Sequence, residues 1–129
     1  MAVKYVVREK GRPADPEAPK KWYAMAKSSG EISFKQLSRE ISEGSTTVSD
    51  TDVMAVLNDL SKLLSRHLAA GEIVRFGDFG SFQVSVQSNG SDTEKEFHSG
   101  LIKKAKINFR PGERLRDMLK TVRFEKYKG

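Results

Sequence analysis

The chain has 129 residues and a mass of 14.4 kDa, is 37% hydrophobic and contains no cysteine. That length holds one domain, or one with an appendage, and its core would be thin enough for pairing with a second copy to be a natural remedy. The lack of thiols excludes disulfides and thiolate metal sites. The N-terminus shows no apolar run of the signal-peptide kind, and no stretch of about 18 apolar residues could span a membrane, so the expected compartment is cytoplasmic.

The formal charge of +6 is unevenly spread. Residues 1–27 hold seven basic groups against three acids, and residues 101–129 hold ten against three, whereas residues 28–100 are net acidic. This layout suits a polyanionic partner, although a charge run is also how an ordinary solvated face reads.

Val3 to Lys10 is a short β-prone run with Val3, Tyr5 and Val7 on one face. Prolines at 13, 16 and 19 then favour an extended turn, and Lys21 to Lys27, centred on Trp22, Tyr23 and Met25, could return as a second strand. An isolated strand pair is marginal in water, so this hairpin-like segment should cover an apolar face or a sheet edge. Ser33 with Gln36 opens a capping box, and Phe34, Leu37 and Ile41 supply the apolar stripe of a short helix ending at Gly44.

A stronger start signal follows. Ser49 is placed as N-cap, with Asp52 three residues on and Val48 and Val53 as a hydrophobic staple. Val53, Val56, Leu57, Leu60, Leu63, Leu64 and Leu68 then repeat at helical spacing up to Gly71, which predicts a helix of about 20 residues with a broad apolar face. Beyond it, Glu72 to Phe76 reads as a strand, residues 77–80 as a tight turn and Ser81 to Gln87 as another strand. Asn89-Gly90 is a favoured hairpin pair, Lys106 to Phe109 resumes the strand pattern, and Glu113 to Thr121 forms a last amphipathic helix. Val122 to Tyr127 is a basic tail without a clear form.

Helix, helix, strands with a protruding pair and a short C-terminal helix form a layout that resembles the HU/IHF-like bacterial architectural DNA-binding proteins. The motif residues are Gly71-Glu72-Ile73-Val74-Arg75-Phe76-Gly77-Asp78-Phe79-Gly80-Ser81-Phe82 and, later, Asn108-Phe109-Arg110-Pro111-Gly112-Glu113-Arg114-Leu115. The resemblance covers about residues 30–121. The segment Val3 to Lys27 has no counterpart in the standard members and resembles a longer HU-related branch. The expected fold is therefore α+β: two helices in the first half, an antiparallel sheet that could project an arm, and a short last helix. Residues 1–29 would form an added β extension and residues 30–129 the HU-like domain with its basic tail.

The resemblance implies a homodimer whose paired arms embrace the minor groove, with Phe76, Phe79 and Phe82 in the body and dimer core. Three exposed phenylalanines would be costly, which agrees. Arg75, Arg110 and Arg114 look like phosphate contacts on the body surface, with plain solvent exposure as the alternative. One departure is informative. Standard members carry an Arg-Asn-Pro arm tip whose proline wedges between base steps. Here the corresponding segment reads Ser91-Asp92-Thr93-Glu94-Lys95-Glu96-Phe97, acidic and without proline. Phe97 is better placed to pack than to intercalate, and basic groups return only at Lys103, Lys104 and Lys106. The expected surface combines Arg75, Lys103, Lys104, Lys106, Arg110, Arg114 and Arg116. It would bind duplex DNA through phosphates with little base readout and weak bending. Arg8, Lys10, Arg12, Lys20 and Lys21 either extend that surface or keep the appendage soluble.

Chemistry finds little footing. His67 and His98 fall in different elements, with His67 read as a boundary or core residue. Asp50 and Asp52 suit a helix start, and residues 77–80 lack the Lys-Ser/Thr ending of a phosphate-binding loop. A nucleoid-associated, non-enzymatic protein without cofactor, metal, membrane or small-molecule partner is expected. The rival is an HU-like assembly or protein-interaction module that has lost strong DNA binding, suggested by the acidic middle and by Trp22 and Tyr23.

Overall fold

The structure is a computed structural model and describes residues 1–11, 14–44 and 46–129. Arg12 and Pro13, from the proline-spaced turn, lie outside the described residues. Along the chain run β1 (Val3–Lys10), β2 (Lys21–Lys27), α1 (Phe34–Glu43), α2 (Asp50–Ala69), β3 (Val74–Phe76), β4 (Gly80–Ser88), β5 (Ile102–Pro111), α3 (Glu113–Thr121) and β6 (Phe124–Lys126). Two compact units result: Phe34–Met118, and a second built from Met1–Ser33 together with Leu119–Gly129.

In the larger unit α1 starts directly after Ser33 and meets α2 at a small residue. Ser38 is 2% exposed, and its hydroxyl donates to the Phe34 carbonyl at 2.7 Å while lying 3.5 Å from the Met54 sulfur. A larger side chain there would hold the helices apart. The N-cap forms as the sequence predicts, with the Ser49 hydroxyl accepting from the Asp52 N–H at 3.2 Å. Gly71, at φ 81°, closes α2 as the Glu72 N–H turns back to the His67 carbonyl at 3.1 Å. His67 is not a core residue. It is exposed and lies 2.9 Å from the Glu72 carboxylate, because the left-handed turn at Gly71 brings Glu72 beside the last helical turn.

Strands β3, β4 and β5 form one antiparallel sheet in that order. The turn between β3 and β4 is stitched to the start of α3, with the Gly112 N–H donating to the Phe79 carbonyl at 2.8 Å and the Arg114 N–H to the Asp78 carbonyl at 3.2 Å. Gly112 is required here because a Cβ would collide with the Asp78 backbone.

Two expectations about the β4–β5 pair change. β5 begins at Ile102 rather than Lys106, and the chain does not reverse at Asn89-Gly90. The Asn89 N–H instead reaches the Leu101 carbonyl at 2.8 Å, so the pair opens a longer connection over residues 89–101. The cross-strand partner of Ser88 is Ile102, and that pairing rules out a two-residue loop. Phe97 lies within this connection, 41% exposed rather than packed away.

The smaller unit is a three-stranded sheet in the order β2-β1-β6. β1 and β2 pair antiparallel from Lys4↔Lys27 to Lys10↔Lys21, forming the expected hairpin with a long connection. The basic tail takes a definite form, with β6 running parallel to β1 and Val3 opposite Phe124. The Val3 N–H donates to the Arg123 carbonyl and the Tyr127 N–H to the Tyr5 carbonyl, both at 2.8 Å. Lys4 pairs with Glu125 at 3.0 Å, and the Lys27 ammonium lies 4.8 Å from the Tyr127 ring centre.

Candidate nucleic-acid interface

The β3-β4-β5 sheet sorts its residues by the period of two that a pleated strand imposes. Directly opposed residues share a face. One face therefore carries Val74, Phe82 and Phe109 in one row, then Val84 with Ile107 and Val86 with Ala105. The opposite face carries Arg75, Ser81 and Arg110 in one row across all three strands, followed by Gln83 with Asn108, Ser85 with Lys106 and Gln87 with Lys104. Four of the seven expected basic residues, Arg75, Arg110, Lys106 and Lys104, thus lie on one polar surface. Arg75, Ser81, Gln83, Asn108 and Arg110 line a depression of about 300 Å³ on it. The uncharged members, above all Gln83, Gln87 and Asn108, were missed at the sequence level. Their signal was the alternation itself, every second residue from 81 to 87 and from 104 to 110.

The other three basic residues stand apart from these rows. Lys103 falls where the register shifts from Gln87↔Lys104 to Ser88↔Ile102, so it has no cross-strand partner. The Arg114 guanidinium meets Asp78, with Nε 3.2 Å from both carboxylate oxygens and Nη2 at 3.1 Å. Its hydrogen bonds hold the Asp78 carboxyl below the ordinary carboxylate value, and Asp78 in turn raises the Arg114 pKa. Arg116 donates through Nη1 to the Pro111 carbonyl at 3.0 Å, satisfying the end of β5. Arg114 and Arg116 therefore brace the junction of strand, turn and helix. Asp92, Glu94 and Glu96 sit in the connection beyond the basic strand rows, where the Phe97 and Glu96 N–H groups turn back on Glu94 and Thr93.

The apolar face is largely uncovered within one chain. Phe76, Phe79, Phe82 and Phe109 form a chain of ring contacts at centroid distances of 4.8 to 5.7 Å, yet Phe76, Phe79 and Phe109 each remain 38 or 39% exposed. An open groove of about 550 Å³ separates α2 from the sheet and is lined by Leu64, Leu68, Phe82, Val84 and Ile107. Among the described residues the one buried apolar side chain is Val53, and no helix is long and apolar enough to cross a membrane.

Two helices, a three-stranded antiparallel sheet with a long β4–β5 pair and a short closing helix define an HU-like fold. The same fold occurs in a HU–DNA cocrystal structure from Anabaena, with 17% identity and a TM-score of 0.54 over 70% of this chain and 99% of that one. It also occurs in a crystal structure from Bacteroides vulgatus ATCC 8482, provisionally described as a bacterial DNA-binding protein, with 11% identity and a TM-score of 0.66 over 97% of this chain. The chain spans 48% of that Bacteroides protein's length. No curated protein matches the chain by sequence. The chain belongs to the HU-HIG family, described as "HU domain fused to wHTH, Ig, or Glycine-rich motif", which it matches over residues 1–126.

Proposed function

We propose that this protein is a non-enzymatic, nucleoid-associated DNA-binding protein of the cytoplasm that acts as a homodimer. It grips duplex DNA through phosphate contacts, with low sequence specificity and weak bending. The observation that carries the reading is the polar face of the β3-β4-β5 sheet, where Arg75, Arg110, Lys106 and Lys104 stand in successive rows with only neutral polar residues between them. Such spacing follows a line of negative charge better than it suits a surface that merely keeps the protein soluble, which would mix both signs. Lys103 adjoins these rows at the bulge, and Arg114 and Arg116 contribute at the edge while bracing α3. Family membership and the likeness to a DNA-bound fold support the choice of DNA as the polyanion.

Dimerisation is supported by the uncovered aromatic chain and the groove beside Leu64 and Leu68, which a second copy would bury. A two-fold pair would double the basic rows. The acidic residues 92–96 favour a second reading, an assembly module with little affinity for DNA, since their charge would repel phosphates. Binding to several unrelated duplexes across a salt series separates the two. The DNA reading expects similar affinities for every sequence and a steep loss with salt, about 0.9 in log–log slope for each phosphate neutralised. A negligible slope, or no binding at about 50 mM salt, supports the assembly module instead.

A further inference from the structure

The net charge is distributed unequally between the two units. Phe34–Met118 contains twelve Lys or Arg and twelve Asp or Glu, so the HU-like body is formally neutral. Met1–Ser33 and Leu119–Gly129 contain eleven basic residues against five acids, and the whole excess of +6 belongs to this smaller unit. Pairing of β1 with β2 concentrates it further. Lys4↔Lys27, Val6↔Met25, Arg8↔Tyr23 and Lys10↔Lys21 are direct partners and share one face, whereas Tyr5, Val7, Glu9, Trp22, Ala24 and Ala26 alternate onto the other. Five cations thus stand on one face of the β2-β1-β6 sheet, with Glu125 of β6 as the acid beside Lys4. Between the cations lie Tyr23 and Met25, 48 and 43% exposed.

Two of the four rows oppose lysine to lysine. Like charges directly across a strand pair destabilise it. Glu125 relieves the first row by pairing with Lys4 at 3.0 Å. Lys10 and Lys21 are direct cross-strand partners at the end that opens into the loop. A local electrostatic cost of this kind is expected where function requires the charge.

We infer that the β1–β2 face is a second DNA-backbone contact surface, which engages duplex phosphates in addition to the body's own contacts. The inference rests on the DNA-binding reading for its ligand. Charge complementarity selects a polyanion as the occupant. The mixture of lysine ammoniums, one guanidinium and a tyrosine hydroxyl suits phosphate oxygens without demanding a base edge.

The test uses the full chain with Arg8, Lys10 and Lys21 changed together to alanine, compared with wild type and with a Lys104→Ala, Lys106→Ala, Arg110→Ala variant. Affinity for a duplex of about 30 base pairs is measured across a salt series, and thermal melting is recorded without DNA. Removing the extension's cations should weaken binding about tenfold or more and lower the salt slope by about 0.9 per lost contact. The melting temperature should stay level or rise, because the Lys10–Lys21 repulsion is gone. If affinity and slope match wild type, the second surface is overturned and the body interface stands alone. If the body variant binds normally while the extension variant fails, the second surface stands and the placement on the body falls. Absence of binding by the wild type overturns both. A drop in melting temperature that accounts for the lost binding also overturns the inference, since the cations would then be structural.

Discussion

At the scale of single residues, the junction between the β3–β4 turn and α3 depends on two side chains and one missing Cβ. Gly112 lets the backbone approach Asp78 closely enough for its N–H to reach Phe79, and Arg114 then closes over the Asp78 carboxylate. Because Arg114 depresses the Asp78 pKa, the pair's contribution is fully present above the unfolded value of 3.8. It is lost as pH falls through the lower native value. Both groups are exposed, so the effect is small. Asp78→Asn should lower the melting temperature slightly at pH 7, and the two proteins should converge well below pH 3.8. A gap that stays constant into acid would mean that Asp78 acts through its shape or neutral hydrogen bonds, not its charge.

At the scale of elements, much was legible because local signals and the tertiary structure agree. Ser49, Asp52 and the leucine repeat define α2 almost to its ends, and the Phe76–Phe82 run with Asn108–Leu115 points to strand, turn and strand before any contact is known. The connection over residues 89–101 was less legible. Asn89-Gly90 has the chemistry of a two-residue hairpin, but the chain returns only at Ile102, and strand register is a non-local property. The β6 strand was illegible for the same reason, since its partner lies at the opposite end of the chain. The seven basic residues came from the charge pattern together with the family resemblance, which singled out Arg75, Arg110 and Arg114. Their division into four on one face, one at a bulge and two engaged in bracing needed the register and the side-chain partners.

The connection also sets the expected mechanics. With acids at 92, 94 and 96 and no proline in residues 89–101, neither an inserted proline nor a basic tip would offset the few kcal/mol that unstacking a base step costs. Energy transfer between dyes at the ends of a short duplex should therefore change little on saturation. A large shortening would contradict weak bending and direct attention to Phe97, whose ring is half-exposed in that segment. The α2 groove carries a different prediction. Leu64→Asp puts a carboxylate against Phe82, Val84 and Ile107, where a second copy would bury it. Wild type should sediment near twice 14.4 kDa at micromolar concentration, and the variant near 14.4 kDa or as unfolded chain. Identical dimers would exclude this groove from the interface.

At the scale of the whole molecule, the chain's two ends form one sheet, and the HU-like unit is inserted between β2 and β6. The body alone is charge-balanced, so the DNA binding proposed for it would come from how charge is arranged rather than how much there is. Strand alternation provides the arrangement by sending Arg75, Arg110, Lys106 and Lys104 to one face and the aromatics to the other. The most direct test of that claim is the salt dependence of duplex binding by the Lys104→Ala, Lys106→Ala, Arg110→Ala variant, read beside wild type on two unrelated sequences. Six cations would be lost from a dimer, so the log–log slope should fall by up to about five, and affinity should drop by the same factor on both duplexes. An unchanged slope would contradict the account, and a loss confined to one sequence would show that this face reads bases.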